Sequence, residues 1–202
     1  ITPFKQYGNP KPRVFRLVED EALINRLGFN NHGAEIVLDR IKSNNKLGLL
    51  GINVGPNKDS KDRMNDYLIG LKTFHEVADY ITINISSPNT ENLRNFHEES
   101  KLQELLKSIS KEKNNLNSKV PIAVKISPDI DENQIELISK ILLENEIKVI
   151  IISNTSKTSR ERLGDIQRHQ KGGLSGKPIE KKSNALINKF YKLLKGKIKI
   201  IG

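Results

Sequence analysis

The chain has 202 residues, 36% of them hydrophobic, with no cysteine and a formal charge of +10. That length and apolar content suit one globular core, and the lack of cysteine excludes disulfide frameworks, thiolate metal sites and a cysteine nucleophile. The charge would suit a polyanion, but no binding motif or aromatic stacking run accompanies the scattered lysines, so nucleic-acid binding is not expected.

No window holds the roughly 18 consecutive apolar residues of a membrane span, and residues 1 to 20 lack a basic start followed by an apolar signal core. The chain is read as soluble and as one domain over residues 1 to 202. Residues 1 to 46 read as an excursion. Pro3, Pro10 and Pro12 give an extended lead-in, residues 1 to 3 a strand remnant, residues 21 to 27 a short helix, and residues 42 to 46 a polar connector. From residue 47 to 202 successive β/α units follow, each a short run rich in Ile and Val, then a polar loop, then a stretch of helical period.

The apolar runs are 47 to 53, 80 to 86, 122 to 127, 149 to 154 and 198 to 201, and their nearly continuous hydrophobicity predicts parallel strands buried on both faces. Helices are predicted at 60 to 77, 98 to 113, 131 to 145 and 180 to 195. Tyr67, Leu68, Leu71 and Phe74 form an apolar stripe in the first, and Leu102, Leu105, Leu106 and Ile109 in the second. Asp131 is the expected N-cap of the third and Gly196 the stop of the fourth. Residues 157 to 173 form a loop long enough to be read as part of an active site.

This alternation fits an open doubly wound sheet or a (β/α) barrel of about eight units. The polar residues favour the TIM-type α/β barrel. Asn53, Asn84, Asn89, Lys125, Asn154 and Thr155 fall at or just beyond the C-terminal ends of four strands, where barrel enzymes build their sites, and no G-x-G-x-x-G turn occurs.

Asn84-Ile85-Ser86-Ser87-Pro88-Asn89-Thr90 closes a buried strand and sets hydroxyls between carboxamides. Paired Asn side chains offer both donors and acceptors, so they can hold the alternating carbonyls and amide hydrogens of a pyrimidine-like ring. Taken singly, a Ser-Pro-Asn is a turn at a strand end. Four histidines, His32, His75, His97 and His169, are scattered without ligand spacing, so no metal is expected. His75 and His97 read as surface residues.

Five further segments accompany Ser87's: Asn25-Arg26-Leu27-Gly28-Phe29-Asn30-Asn31-His32-Gly33, Gly51-Ile52-Asn53-Val54-Gly55, Val124-Lys125-Ile126-Ser127-Pro128-Asp129, Asn154-Thr155 and Gly172-Gly173-Leu174-Ser175-Gly176-Lys177-Pro178. In order and spacing these resemble the class 2, quinone-linked dihydroorotate dehydrogenases, from the Gly8-to-Arg13 stretch onward. The resemblance implies oxidation of dihydroorotate to orotate in pyrimidine biosynthesis, with electrons passing through FMN to a quinone. Ser87 matches the catalytic base; related class 1 enzymes carry Cys there. Thr90 is the neighbour through which its proton could leave.

Asn25, Arg26, Leu27, Gly28, Phe29, Asn84, Asn89, Asn154 and Thr155 match substrate-binding positions, and Asn53, Asn84, Lys125, Ser153 and Gly176 match flavin-binding ones. Gly172, Gly173 and Gly176 are expected to let backbone approach a ligand. Five clear strands and one remnant are fewer than the eight of a closed barrel, so the chain reads as an incomplete barrel. The family's membrane-associating N-terminal region and its phosphate loops would lie outside it. This chain alone is therefore expected to be inactive, soluble itself, and derived from an enzyme peripheral to the membrane, on the cytoplasmic face if bacterial. A non-catalytic remnant of such an enzyme is the alternative, and a basic nucleic-acid-binding domain a more distant one.

Overall fold

The computed structural model describes residues 1–45, 48–88, 93–158 and 160–202. Five parallel strands form the main sheet: β3 (Gly51–Val54), β4 (Tyr80–Asn84), β5 (Ile122–Lys125), β6 (Val149–Ile151) and β8 (Lys199–Ile201). Their spatial order is β3-β4-β5-β6-β8, which follows the chain without reversal. A doubly wound sheet reverses direction at a switch point, so this monotonic order is that of a barrel wall.

Four of the predicted helices and a fifth pack on this wall: α1 (Ala34–Lys42), α2 (Arg63–Phe74), α3 (Glu99–Asn115), α4 (Glu132–Glu144) and α5 (Lys177–Leu194). Parity explains the packing. Residues paired across parallel strands point to the same face, and Ile52, Val54, Ile81, Ile83, Ile122, Val124 and Ile150 share the face that meets the helices. They join Tyr67, Leu71, Leu105, Ile138 and Phe190 in one core. Each such side chain contributes about 1.5–3 kcal/mol by leaving water.

Local signals set the helix ends. Asp131 accepts a hydrogen bond from Gln134 N while the Gln134 side chain reaches back to Asp131 N, closing a capping box that starts α4. Asp62 caps α2 by accepting a hydrogen bond from Asn65 N, without the reciprocal bond. At the end of α5, Lys195 adopts the left-handed conformation ahead of Gly196.

The other three strands form a separate antiparallel sheet, β1-β2-β7, from β1 (Val14–Leu17), β2 (Ala22–Asn25) and β7 (Gly173–Gly176). Here the sequence expectations need correcting. Residues 22–25 form a strand rather than a helix, because Leu23 and Ile24 pair with Arg16 and Phe15 on one side and with Ser175 and Leu174 on the other. Residues 1–3 form no strand, although Gly55 N donates to Ile1 O beside β3. The supposed connector begins inside α1, whose last residue is Lys42; Lys46 lies outside the described residues.

Close packing of α2 on β3 depends on Gly70. A Cβ there would sit 2.8 Å from Val54 Cγ1 and 2.9 Å from Val54 Cβ. Ala raises helix propensity by about 1 kcal/mol over Gly, but overpacking against a stiff, buried Val costs about 1–3 kcal/mol, so the clash wins. Gly70→Ala is expected to lower the urea midpoint without changing the denaturant slope.

Candidate functional site

The second face of the wall is polar. Asn53 pairs in register with Thr82, and Asn84 with Lys125, so all four project to the side away from the helices. Asn53 is exposed, Thr82 and Asn84 are buried, and Lys125 is half-buried. Burial lowers the Lys125 pKa below its ordinary value. Among the described residues its ammonium has neither an ion pair nor a hydrogen bond, which leaves its charge without a partner there.

Beyond the strand ends a hydrogen-bond chain sets the carboxamides. Asn84 Oδ1 accepts from Ser86 N at 3.1 Å and Ser86 Oγ at 2.7 Å. Asn154 Nδ2 donates to Ser86 Oγ at 2.8 Å, and Asn154 Oδ1 accepts from Thr155 N at 2.7 Å. The Ser86 hydroxyl thus uses its one donor and one of its acceptors to join strands β4 and β6. From behind, the buried Tyr67 hydroxyl donates to Asn84 O at 2.7 Å, and burial pushes its pKa well up. Ser87 follows, 4% exposed.

The antiparallel sheet meets these strand ends through Gly173. A Cβ at that position would lie 1.9 Å from Thr155 Oγ1 and 2.9 Å from Pro88 Cγ, so only glycine lets β7 come this close. Gly173 also pairs with Asn25 at the end of β2. Asn25, Thr155 and the Ser87-Pro88 corner are thereby gathered around one point. The close approach of Gly172 and Gly173 is made to protein: a Cβ at Gly172 would meet Asn25 O at 2.3 Å.

The remaining predicted residues divide. Phe29 packs its ring against Gly55 just beyond β3. Arg26 turns to the loop, donating to Gln170 Oε1 and Lys171 O, with its guanidinium over the Phe15 ring. Leu27 is 38% exposed, and Gly28 packs on Asn9. Ser153 lies just past β6 and donates to Asn154 O. Gly176 ends β7 opposite Ala22 and precedes α5. Asn89 and Thr90 lie outside the described residues.

Sequence reasoning gave no role to Arg94, Asp129 or Lys182. The Asp129 carboxylate accepts from Arg94 Nη1, Lys182 Nζ, Ser156 Oγ, Thr158 Oγ1 and Lys157 N. Burial opposes its ionisation, but the hydrogen bonds from Lys182, Ser156, Lys157 and Arg94 outweigh it and hold the pKa below the carboxylate range. Arg94 also donates to Ser86 O and Thr155 O, linking this hub to the carboxamides. The signal available in sequence was Asp129 at the end of an apolar run, with partners 35 and 53 residues away.

His97 also departs from expectation, being 2% exposed rather than on the surface. The turn of 3-10 helix at Leu93–His97 folds it inward, where its Nδ1 meets Arg94 O at 2.8 Å and its Nε2 accepts from Ser127 N at 3.4 Å. Burial lowers its pKa from 6.5 to about 4, so it is neutral at pH 7.

Asp129→Asn is expected to cost about 2–3 kcal/mol in urea unfolding, because it strands Arg94 and Lys182 without their counter-charge. For His97 the unfolded state binds more protons between pH 6.5 and about 4, so stability falls as pH drops through that window. His97→Gln should flatten the pH dependence of the unfolding midpoint there.

The dihydroorotate dehydrogenase family model matches residues 1–202. Proteins named dihydroorotate dehydrogenase (quinone) from Bartonella tribocorum and Idiomarina loihiensis are 43% and 44% identical over the whole chain. The chain covers 57% and 62% of their lengths, or about three-fifths. A crystal structure of the Eimeria tenella enzyme in complex with ferulenol superposes with a TM-score of 0.94 at 33% identity, covering 99% of this chain and 60% of that one. Matching along the full chain in sequence and in fold, with the partial barrel wall superposed, places this chain in the dihydroorotate dehydrogenase family, among relatives of the quinone-dependent class.

Proposed function

We propose that these residues form the dihydroorotate-oxidising site of a flavin enzyme of pyrimidine biosynthesis that reduces a quinone. The observation that carries this reading is the joining of Asn84, Ser86, Asn154 and Thr155 in one hydrogen-bond chain, next to the buried Ser87. Carboxamides fixed in this way present donors and acceptors without further ordering, which suits a planar ring bearing alternating carbonyls and N–H groups. Asn25 and Thr155 converge on them through Gly173. The Asn25-to-Phe29 segment completes the substrate-binding set, with Asn89 from beyond the described residues.

The polar face fits a flavin, and FMN is the form we propose. Lys125 is a half-buried cation with no anionic partner among the described residues, and the exposed Asn53 shares its face. A positive charge fixed there stabilises negative charge developing on a reduced ring. Asn53, Asn84, Lys125, Ser153 and Gly176 are the residues that would hold the cofactor. When bound, the flavin supplies a two-electron acceptor for the substrate's hydride and relays the electrons to quinone.

Ser87 Oγ is the group that accepts the proton from the substrate ring methylene. A hydroxyl is a weak base alone, so the proton must move on to a hydrogen-bonded neighbour or water. His97 does not take it, because both ring nitrogens are occupied by Arg94 O and Ser127 N. Thr90 is the neighbour proposed for that step. Quinones dissolve in membranes, so the proposal extends to a peripheral membrane association of the enzyme; among the described residues no helix is long and apolar enough to cross a bilayer.

The test is anaerobic addition of dihydroorotate to the FMN-loaded enzyme with this chain extended to the full length of its relatives, followed by flavin absorbance. Bleaching at a rate lowered at least about 100-fold in Ser87→Ala, with the flavin still bound, is the expected result. An unchanged rate in Ser87→Ala would remove the serine from the mechanism, and no bleaching in the loaded wild type would refute the reaction. Lys125→Gln should retain the fold and weaken FMN binding, measured by fluorescence quenching.

A further inference from the structure

A cavity of about 890 Å3 opens beside Pro88 and Gly172. Among the described residues, every charged one lining it is basic: Lys11, Arg26, Lys157, Arg160 and Lys171. Like charges brought together repel, and the three lysines have no ion pair among the described residues to offset that repulsion. The arginines are fixed by carbonyls. Arg160 donates through Nη1 and Nη2 to the carbonyls of Arg168, Gln170 and Gly172, while Arg26 donates to Gln170 and Lys171.

Arg160 carries a second observation. Its Nε is buried and has no hydrogen-bond partner among the described residues. Buried donors are nearly always paired, so the orphan leaves the guanidinium of a residue lining this cationic cavity with unspent donor capacity. The carbonyls that hold the rest of the guanidinium carry no formal charge, so an anion in the cavity is the group that would offset the charge of its lining.

The cavity also adjoins the candidate site. Three lining residues are each one position from a residue gathered there: Arg26 follows Asn25, Pro88 follows Ser87, and Gly172 precedes Gly173. We propose that this basin is an anion-capture vestibule that draws in a small carboxylate and passes it beyond Pro88 to the substrate site. The proposal rests on the functional reading above, in which the substrate is a carboxylate. Cations lining a cleft raise the local concentration of an anion and its association rate, and salt screens the effect.

The kinetic test compares the flavin-loaded wild type, extended to the full length of its relatives, with Lys11→Gln/Lys157→Gln/Lys171→Gln in the same enzyme, which alters exposed side chains outside the substrate and flavin sets. At low ionic strength the triple variant is expected to lose about tenfold in kcat/KM for dihydroorotate with kcat unchanged, and to converge with wild type at high salt. Equal kcat/KM at low salt, or a deficit that salt does not close, would overturn the vestibule.

A second arm needs no turnover. Inorganic pyrophosphate should slow acetylation of Lys11, Lys157 and Lys171, read by peptide mass spectrometry, while leaving the exposed Lys111 on α3 unaffected. Absence of selective protection overturns the basin even where oxidation is normal. Protection in a loaded wild type that does not oxidise dihydroorotate supports the basin and counts against the assigned reaction instead. Protection together with the salt-dependent kinetic deficit supports both.

Discussion

Asp129 is a single carboxylate on which four segments of the chain close. It stands just beyond β5; Arg94 comes from the turn after β4, Ser156, Lys157 and Thr158 from the loop after β6, and Lys182 from α5. A nearly buried carboxylate is costly unless donors surround it, so the charge forces these segments together. Arg94 then carries the constraint to Ser86 O and Thr155 O, and so to Asn84 and Asn154. The carboxamides are held in place by a charge that is not itself among the proposed ligand contacts.

This arrangement divides the work by chain position. Helix-facing residues of the strands supply the apolar burial, the opposite face presents Asn53, Thr82, Asn84 and Lys125, and the strand ends carry the polar chain. The antiparallel sheet then brings Asn25 up to the strand ends, its close approach permitted by the missing side chain of Gly173. Barrel walls commonly separate stability from chemistry along the strand axis in this way.

Much of the wall was legible because Ile- and Val-rich runs such as 122 to 127 carry their own strand signal, and Asp131 with Gln134 spells out a helix start. The antiparallel sheet was not. β7 is Gly-Leu-Ser-Gly, a composition that local propensity assigns to a turn, and its partner β2 lies roughly 150 residues earlier. Residues 21 to 25 include Glu, Ala and Leu, good helix formers, yet pairing on both edges of β2 overrides them. The missed α1 begins after Gly33 with no capping side chain to announce it. In the site, Ser87, Asn84, Asn154 and Lys125 were visible through their motifs, while Arg94, Asp129 and Lys182 are related only through the fold. His97 misled because burial of a neutral imidazole depends on the backbone groups that meet its two nitrogens, and those come from separate segments.

The two-faced register of the wall has an evolutionary corollary. Ile52 and Val54 flank Asn53, and Ile81 and Ile83 flank Thr82, so the positions that build the apolar core alternate with those on the polar face. Replacing Asn53 removes little buried surface, since it is exposed, whereas replacing either neighbour opens a hole in the core. Selection can therefore change an exposed position such as Asn53 on the polar face of such a wall while the intermediate sequences still fold.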